Sequence, residues 1–153
     1  MQSRSVGIIG VGLMGAALAQ RLAAAGFRFA GYDVDAAKTA QITELGGKAA
    51  QSIAEIAREC DPILLAVFNT DQVEEVVEKH LLPALGEHSN RMVLCASTCD
   101  PDRIAALGVR VAARGLRFLE TPVSGTSAQV ARGEGVGLIG GDPTTVAQIE
   151  PVL

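Results

Sequence analysis

Short apolar runs rich in Val, Ile and Leu alternate along this chain with longer segments of helical period. Residues 6–9 form the first run and predict a buried strand. Residues 16–25 are rich in Ala and Leu, which favour helix, and Gly26 stands where a C-cap belongs. Residues 27–32 read as a second strand and residues 36–45 as a second helix, closed by Gly46 and Gly47. Ser52-Ile53-Ala54-Glu55 has the form of a capping box and predicts a short helix to Glu59. Residues 63–68 are continuously apolar, as in a strand covered on both faces. Residues 71–81 place Val73, Val76 and Val77 on one helix face and Glu74, Glu75 and Glu78 on the other. A strand at 92–96, a helix at 101–114 opened by Pro101, and strands at 116–119 and 136–139 follow. Asp142 and Pro143 supply the N-cap and first position of a last helix. Alternation of this kind predicts an α/β fold, a doubly wound, mainly parallel sheet. No repeat or linker divides residues 1–153, which read as one domain.

Composition narrows the partners. The net charge of −4 gives no basic field to attract nucleic acid or an anionic membrane, so neither is expected as a partner. No apolar stretch is long enough for a membrane span, and no targeting segment is visible. The three cysteines, Cys60, Cys95 and Cys99, form no even framework, which fits a reducing, cytoplasmic setting. No His lies near Cys95 and Cys99, and Cys60 belongs to another segment, so no metal site is expected.

The chemistry-bearing motif is Gly10-Val11-Gly12-Leu13-Met14-Gly15, placed between the first strand and the first helix. In this context Gly10 allows a tight turn, Gly12 lets the backbone approach a diphosphate, and Gly15 lets helix and strand pack closely. The free amides of the helix N-terminus, those of Leu13 and Met14 included, would receive the anion with the help of the helix dipole. Asp33 closes the second strand 18 residues after Gly15, where a ribose-binding acid belongs. Its carboxylate would accept from both ribose hydroxyls and repel a 2′-phosphate. The next residue is Val34 and not Arg, so NAD is expected rather than NADP. The competing reading has the glycines only turn the chain and Asp33 only cap the next helix, a role for which Asp35 also competes.

Five stretches carry a resemblance to the N-terminal domain of the β-hydroxyacid dehydrogenases, the group of 3-hydroxyisobutyrate dehydrogenase, tartronate semialdehyde reductase and 6-phosphogluconate dehydrogenase. They are residues 7–15; Tyr32-Asp33; Gln72-Val73-Glu74-Glu75-Val76 after the central strand; Ser97-Thr98 with Pro101; and Glu120-Thr121-Pro122-Val123-Ser124-Gly125. The resemblance implies a Rossmann-type cofactor domain. It implies that Thr98 lies near the nicotinamide, with helix capping as the competing role. Phe68, Asn69 and Thr70 would pass under the adenosine ribose and diphosphate. Ser124, Gly125 and Thr126 would meet the carboxylate of a small hydroxy-acid substrate.

Glu120-Thr121 replaces the usual Asp-Ala, and Thr126 replaces a second Gly; these departures bear on which acid is bound. The family's proton-transferring Lys lies in an all-helical second domain and would fall beyond Leu153, so no catalytic residue is expected within this chain. Lys38, Lys48 and Lys79 match no family motif and read as surface residues, and His80 and His88 have no visible partner. On this reading the chain is truncated before the interdomain helix. It would be inactive alone, would expose an apolar face near Val152 and Leu153, and would belong to a protein that forms homo-oligomers. An imine reductase and a non-catalytic dinucleotide-binding scaffold are the alternatives. The carboxylate-binding motif argues against the first, because imines lack that acid.

Overall fold

The computed structural model describes residues 5–152. Its main sheet is six-stranded and wholly parallel, in the order β3-β2-β1-β4-β5-β6. The strands are β1 (Ser5–Ile9), β2 (Phe29–Tyr32), β3 (Lys48–Ala49), β4 (Cys60–Leu65), β5 (Met92–Cys95) and β6 (Arg117–Glu120). The chain first builds leftward from β1 and then returns to add β4, β5 and β6 on the right. The crevice between the carboxyl ends of β1 and β4 is therefore the switch point at which such sheets bind ligands.

Helices cover both faces. α1 (Leu13–Ala24), α2 (Ala36–Glu44) and α8 (Pro143–Ile149) pack with Val6, Ile8, Phe29, Leu64, Leu94 and Leu119 on one side. On the other side lie α3 (Ile53–Glu59), α4 (Thr70–Glu75), a π-helical turn Val76–Leu81, α5 (Leu82–Leu85) and α6 (Pro101–Ala112). These bury Ile9, Ile63, Leu65, Val93 and Cys95. Alternate residues of one strand thus feed opposite cores, as a doubly covered strand requires.

Several boundaries differ from the sequence expectation. β4 begins three residues earlier than the apolar run, at Cys60, and passes through a cis Asp61-Pro62 bond. Pro62 has no amide to give to the ladder. The pairing with β1 shifts between Ser5 and Gly7, and the Asp61 carboxylate accepts from the Met92 amide at 3.1 Å. The expected strand at 136–139 shrinks to β8 (Val136–Gly137), which pairs antiparallel with β7 (Val123–Ser124) outside the main sheet. A run of apolar residues does not specify its partner, and this one found a short local one. Leu138 and Ile139 remain exposed beyond it. α7 (Ser127–Ala131) and the two-residue β3 are additions, both too short for a periodic pattern to reveal.

At the C-terminal end Val152 is half-buried against the α1–α8 core, beside an apolar cavity of about 520 Å³. The expected apolar face is thus partly closed there; Leu153 lies outside the described residues. No helix among the described residues is long and apolar enough to cross a membrane.

Candidate functional site

The three glycines of the first turn do different physical jobs. Gly10 has φ +93°, and a Cβ there would lie 2.6 Å from the Ala66 carbonyl oxygen at the end of β4. A Cβ on Gly15 would lie 1.9 Å from the Gly10 oxygen, so helix α1 can approach its own strand only without one. A Cβ on Gly12 would meet nothing within 4 Å. Packing within the chain therefore leaves Gly12 unexplained; a backbone that faces an open crevice explains it. Gly12 is also the N-cap of α1, with no side-chain cap, and the first turn carries no acid. The leading amides of α1 have no helical acceptor and no side chain stands in for one. Uncapped amides at a helix N-terminus are the kind of group that can receive an anion.

Asp33 stands beside this turn. One carboxylate oxygen accepts from the Val11 amide at 2.7 Å and the other from the Asp35 amide at 2.9 Å. The backbone of Asp33 is braced on both sides by Thr39, whose hydroxyl accepts from the Asp33 amide and donates to the Asp33 carbonyl. Asp35, not Asp33, caps α2, accepting from Ala37. Asp33 is thus fixed at the switch point with lone pairs left over, since each carboxylate oxygen can take more than one donor.

A cavity of about 730 Å³ runs from this corner across the sheet ends. That volume lies in the ordinary range for small-molecule and cofactor sites. Gly10, Gly12, Leu13, Met14, Asp33, Phe68 and Thr98 all line it, and Ile9, Ile53, Val67, Val76 and Val123 supply apolar wall. Phe68 is 88% exposed on the rim and donates its amide to the Gln72 side chain at 2.8 Å. Gly15 is buried behind the turn. Asn69 is not on the wall; its side chain caps α4 by accepting from Gln72. The Thr70 hydroxyl accepts from the Asp100 amide at 2.9 Å.

Of the pair after β5, Ser97 is buried and donates to the Val67 carbonyl at 2.7 Å, whereas Thr98 is exposed and faces the cavity. Capping of α6 falls to Asp100, which releases Thr98 from that role.

The loop after β6 is built differently. Ser124 sits in the β7–β8 pairing, and Gly125 has φ +131°. The Thr126 amide is already taken by the Gln129 side chain at 2.8 Å, and its hydroxyl caps α7, a complete capping box. Of this stretch Val123 reaches the cavity wall.

The sequence reading missed Lys38 and His80, which both border the cavity. Lys38 lies three residues beyond the capping Asp35, one turn into α2, a spacing that could have placed it near Asp33. Lys48 is ion-paired to Glu55 and Glu59, and Lys79 to Glu75. Among the described residues no group of three or more His, Cys, Asp or Glu side chains is arranged to hold a metal.

Residues 5–153 match the family model described as the NAD binding domain of 6-phosphogluconate dehydrogenase. The chain is 34% identical to an L-threonate dehydrogenase of Cupriavidus necator, covering 99% of this chain and 51% of that one. A 3-hydroxyisobutyrate dehydrogenase structure from Salmonella typhimurium superposes with a TM-score of 0.87 at 28% identity, covering 99% of this chain and 53% of that one. An imine reductase variant from Myxococcus stipitatus, solved with NAD+, superposes with a TM-score of 0.90 at 17% identity, covering 99% of this chain and 52% of that one; it shares the fold. The chain thus spans about half the length of the curated relatives it matches. With its glycine turn, its parallel sheet and its switch-point cavity, the chain belongs to the family of the 6-phosphogluconate dehydrogenase NAD-binding domain.

Proposed function

We propose that this chain is the cofactor-holding half of an NAD-dependent dehydrogenase that acts on the alcohol carbon of a short hydroxy acid. The observation that carries the reading is the open space over Gly12, where α1 presents uncapped amides to the cavity that Asp33 and Thr98 also line. A bound nicotinamide dinucleotide would supply the hydride chemistry. The chain's own residues would hold it. The amides at the start of α1 would donate to the diphosphate, and Asp33 would accept from the ribose hydroxyls. Thr98 would donate at the nicotinamide end, while the apolar wall excludes water.

Ser124 and Gly125 are the proposed donors to the substrate carboxylate, next to Val123 on the cavity wall. The Ser124 hydroxyl has no hydrogen-bond partner among the described residues. Thr126 contributes less than its place in the motif suggests, because its amide and hydroxyl are engaged with Gln129. The relatives named as L-threonate and 3-hydroxyisobutyrate dehydrogenases support a small hydroxy acid as substrate.

No lysine of the chain is expected to transfer a proton at the Thr98 end. Lys38 stands on the same side as Asp33, one turn into α2, and Lys48 and Lys79 are committed to ion pairs elsewhere. The chain alone should therefore bind NADH without turning over. Titration should show saturable 1:1 binding, and an assay of NAD+ reduction with short hydroxy acids should give no rate. Robust turnover by these residues alone would overturn the division of labour; turnover with an imine but no hydroxy acid, in a longer protein containing them, would overturn the substrate class.

A further inference from the structure

Cys95 and Cys99 flank the loop that carries Thr98 into the cavity, and their sulfurs lie 3.9 Å apart. Both Sγ atoms turn toward the same acceptor, the Ser97 carbonyl, at 3.8 and 3.6 Å. Cys95 is buried at the end of β5, whereas Cys99 is only half-buried. The two thiols are therefore adjacent, and Cys99 is the less buried of the two.

We propose that Cys95 and Cys99 are a modification site, an oxidisable dithiol whose disulfide displaces Thr98 from its place at the cofactor cavity. A hydroperoxide is the oxidant. The sulfur of Cys99, the less buried of the pair, attacks its O–O bond, giving a sulfenic acid on Cys99 and releasing an alcohol, or water from hydrogen peroxide. Cys95 Sγ then displaces the hydroxyl, which leaves as water with the Cys95 proton. Two thiols lose two electrons and two protons in total, and the peroxide takes them up. The order follows from access and from ionisation: burial first, and the neighbouring Cys99 second, push the Cys95 thiol well above its ordinary pKa, so Cys95 is the resolving and not the attacking group. Cys60 takes no part, being buried on another strand with its thiol pushed up to about 11 by that burial.

The bond requires the sulfurs to close from 3.9 Å to about 2.05 Å. The loop is pinned on both sides of Thr98. Ser97 is held to the Val67 carbonyl, and the Asp100 amide to the Thr70 hydroxyl. Between these two ties Thr98 and Cys99 are without a backbone bond, so backbone movement on closure falls on the Thr98–Cys99 step. The reach of the effect to the cofactor rests on the functional reading above; the disulfide itself does not.

The test uses the full chain, reduced or treated with hydrogen peroxide, then alkylated and digested with trypsin. Cleavage after Arg91 and Arg103 places both cysteines in peptide 92–103, while Cys60 falls in peptide 59–79. The expected result is a peptide 92–103 about 2 Da lighter that resists alkylation, with peptide 59–79 still carrying one alkylatable thiol. Dithiothreitol should reverse the change. NADH affinity should fall by about threefold or more on oxidation, and Cys99→Ser should abolish both effects. Two thiols that stay alkylatable, a Cys99 that stops at an oxygen adduct, or a disulfide between chains would overturn the site. A disulfide that leaves NADH affinity unchanged would overturn its link to the cavity. A reduced chain that binds no NADH would instead overturn the functional reading while the peptide result stands.

Discussion

Two loops at the carboxyl ends of the sheet differ in what they leave unused. The turn after β1 gives its Gly10 and Val11 amides to Tyr32 and Asp33 but leaves the leading amides of α1 uncapped, with Gly12 facing open space and Asp33 keeping spare lone pairs. The loop after β6 has spent most of its donors on itself. Thr126 is locked into a capping box with Gln129, and Ser124 is bound into a two-strand pairing. The first loop is the proposed anion site, with amides that no side chain caps. The second is a structural corner that offers a hydroxyl, that of Ser124. Family likeness in a motif and readiness to bind are therefore separate properties, and hydrogen-bond accounting distinguishes them.

The largest test of this contrast lies within the first loop. Gly15→Ala forces a Cβ to within 1.9 Å of the Gly10 oxygen, a backbone atom that cannot give way cheaply. It should cost about 3 kcal/mol of stability, the upper end of the usual overpacking range, read by urea unfolding. Gly12→Ala should leave stability within about 0.5 kcal/mol, because its Cβ meets nothing. It should instead weaken NADH binding by about tenfold, near 1.4 kcal/mol, since the methyl fills the cradle. Equal loss of stability in both variants would erase the distinction between packing glycine and binding glycine.

Asp33→Ala sharpens the comparison at the ribose. Two unit charges about 4 Å apart interact by about 4 kcal/mol at an effective dielectric of 20, and solvent reduces that considerably. The variant should bind NADH more weakly and NADPH more strongly, narrowing the ratio measured by fluorescence titration. An unchanged ratio would mean that Asp33 serves only the Val11 and Asp35 amides.

The second loop should respond in stability rather than in cofactor affinity. Thr126→Ala removes the α7 cap and should cost about 1 kcal/mol with NADH affinity unmoved. A loss of NADH affinity without a loss of stability would place Thr126 against the cofactor.

The smallest effect is expected far from both loops. Lys48 and then the Gln51 amide hold the Glu55 carboxyl below its ordinary pKa. A depressed folded-state pKa adds stability that is full above the unfolded value, near 4.5, and is lost as pH falls through the folded one. Glu55→Gln should therefore slightly flatten the acid limb of a thermal-stability profile while leaving neutral pH little changed, because the Lys48 partner is solvent-exposed and the pair is screened.

Much of the first loop was legible because glycine spacing, a preceding strand and a following acid are local signals. Asp35 as the cap of α2 followed from its order along the chain, and its bond from the Ala37 amide agrees; the Asp33 carboxylate, expected to be the freer one, takes two backbone amides instead. What escaped was non-local. Thr39 braces Asp33 from a helix, Ser97 is tied to Val67 across two strands, and Val136 pairs with Ser124 instead of joining the main sheet. Asp61 and Pro62 masked the start of β4, since polar and proline residues argue locally against a strand. The α7 helix was a different case. Thr126-Ser127-Ala128-Gln129 is itself a capping box, and its local signal was overshadowed by the motif that contains it.

The central claim is that the cofactor cradle is complete between β1 and the loop after β5. Titration of the reduced chain with NADH, with NADPH in parallel, tests it most directly. The account predicts a single saturable site per chain that prefers NADH and is weakened by Gly12→Ala without loss of fold. A folded chain that shows no saturable NADH binding, or binding indifferent to Gly12→Ala, would contradict it.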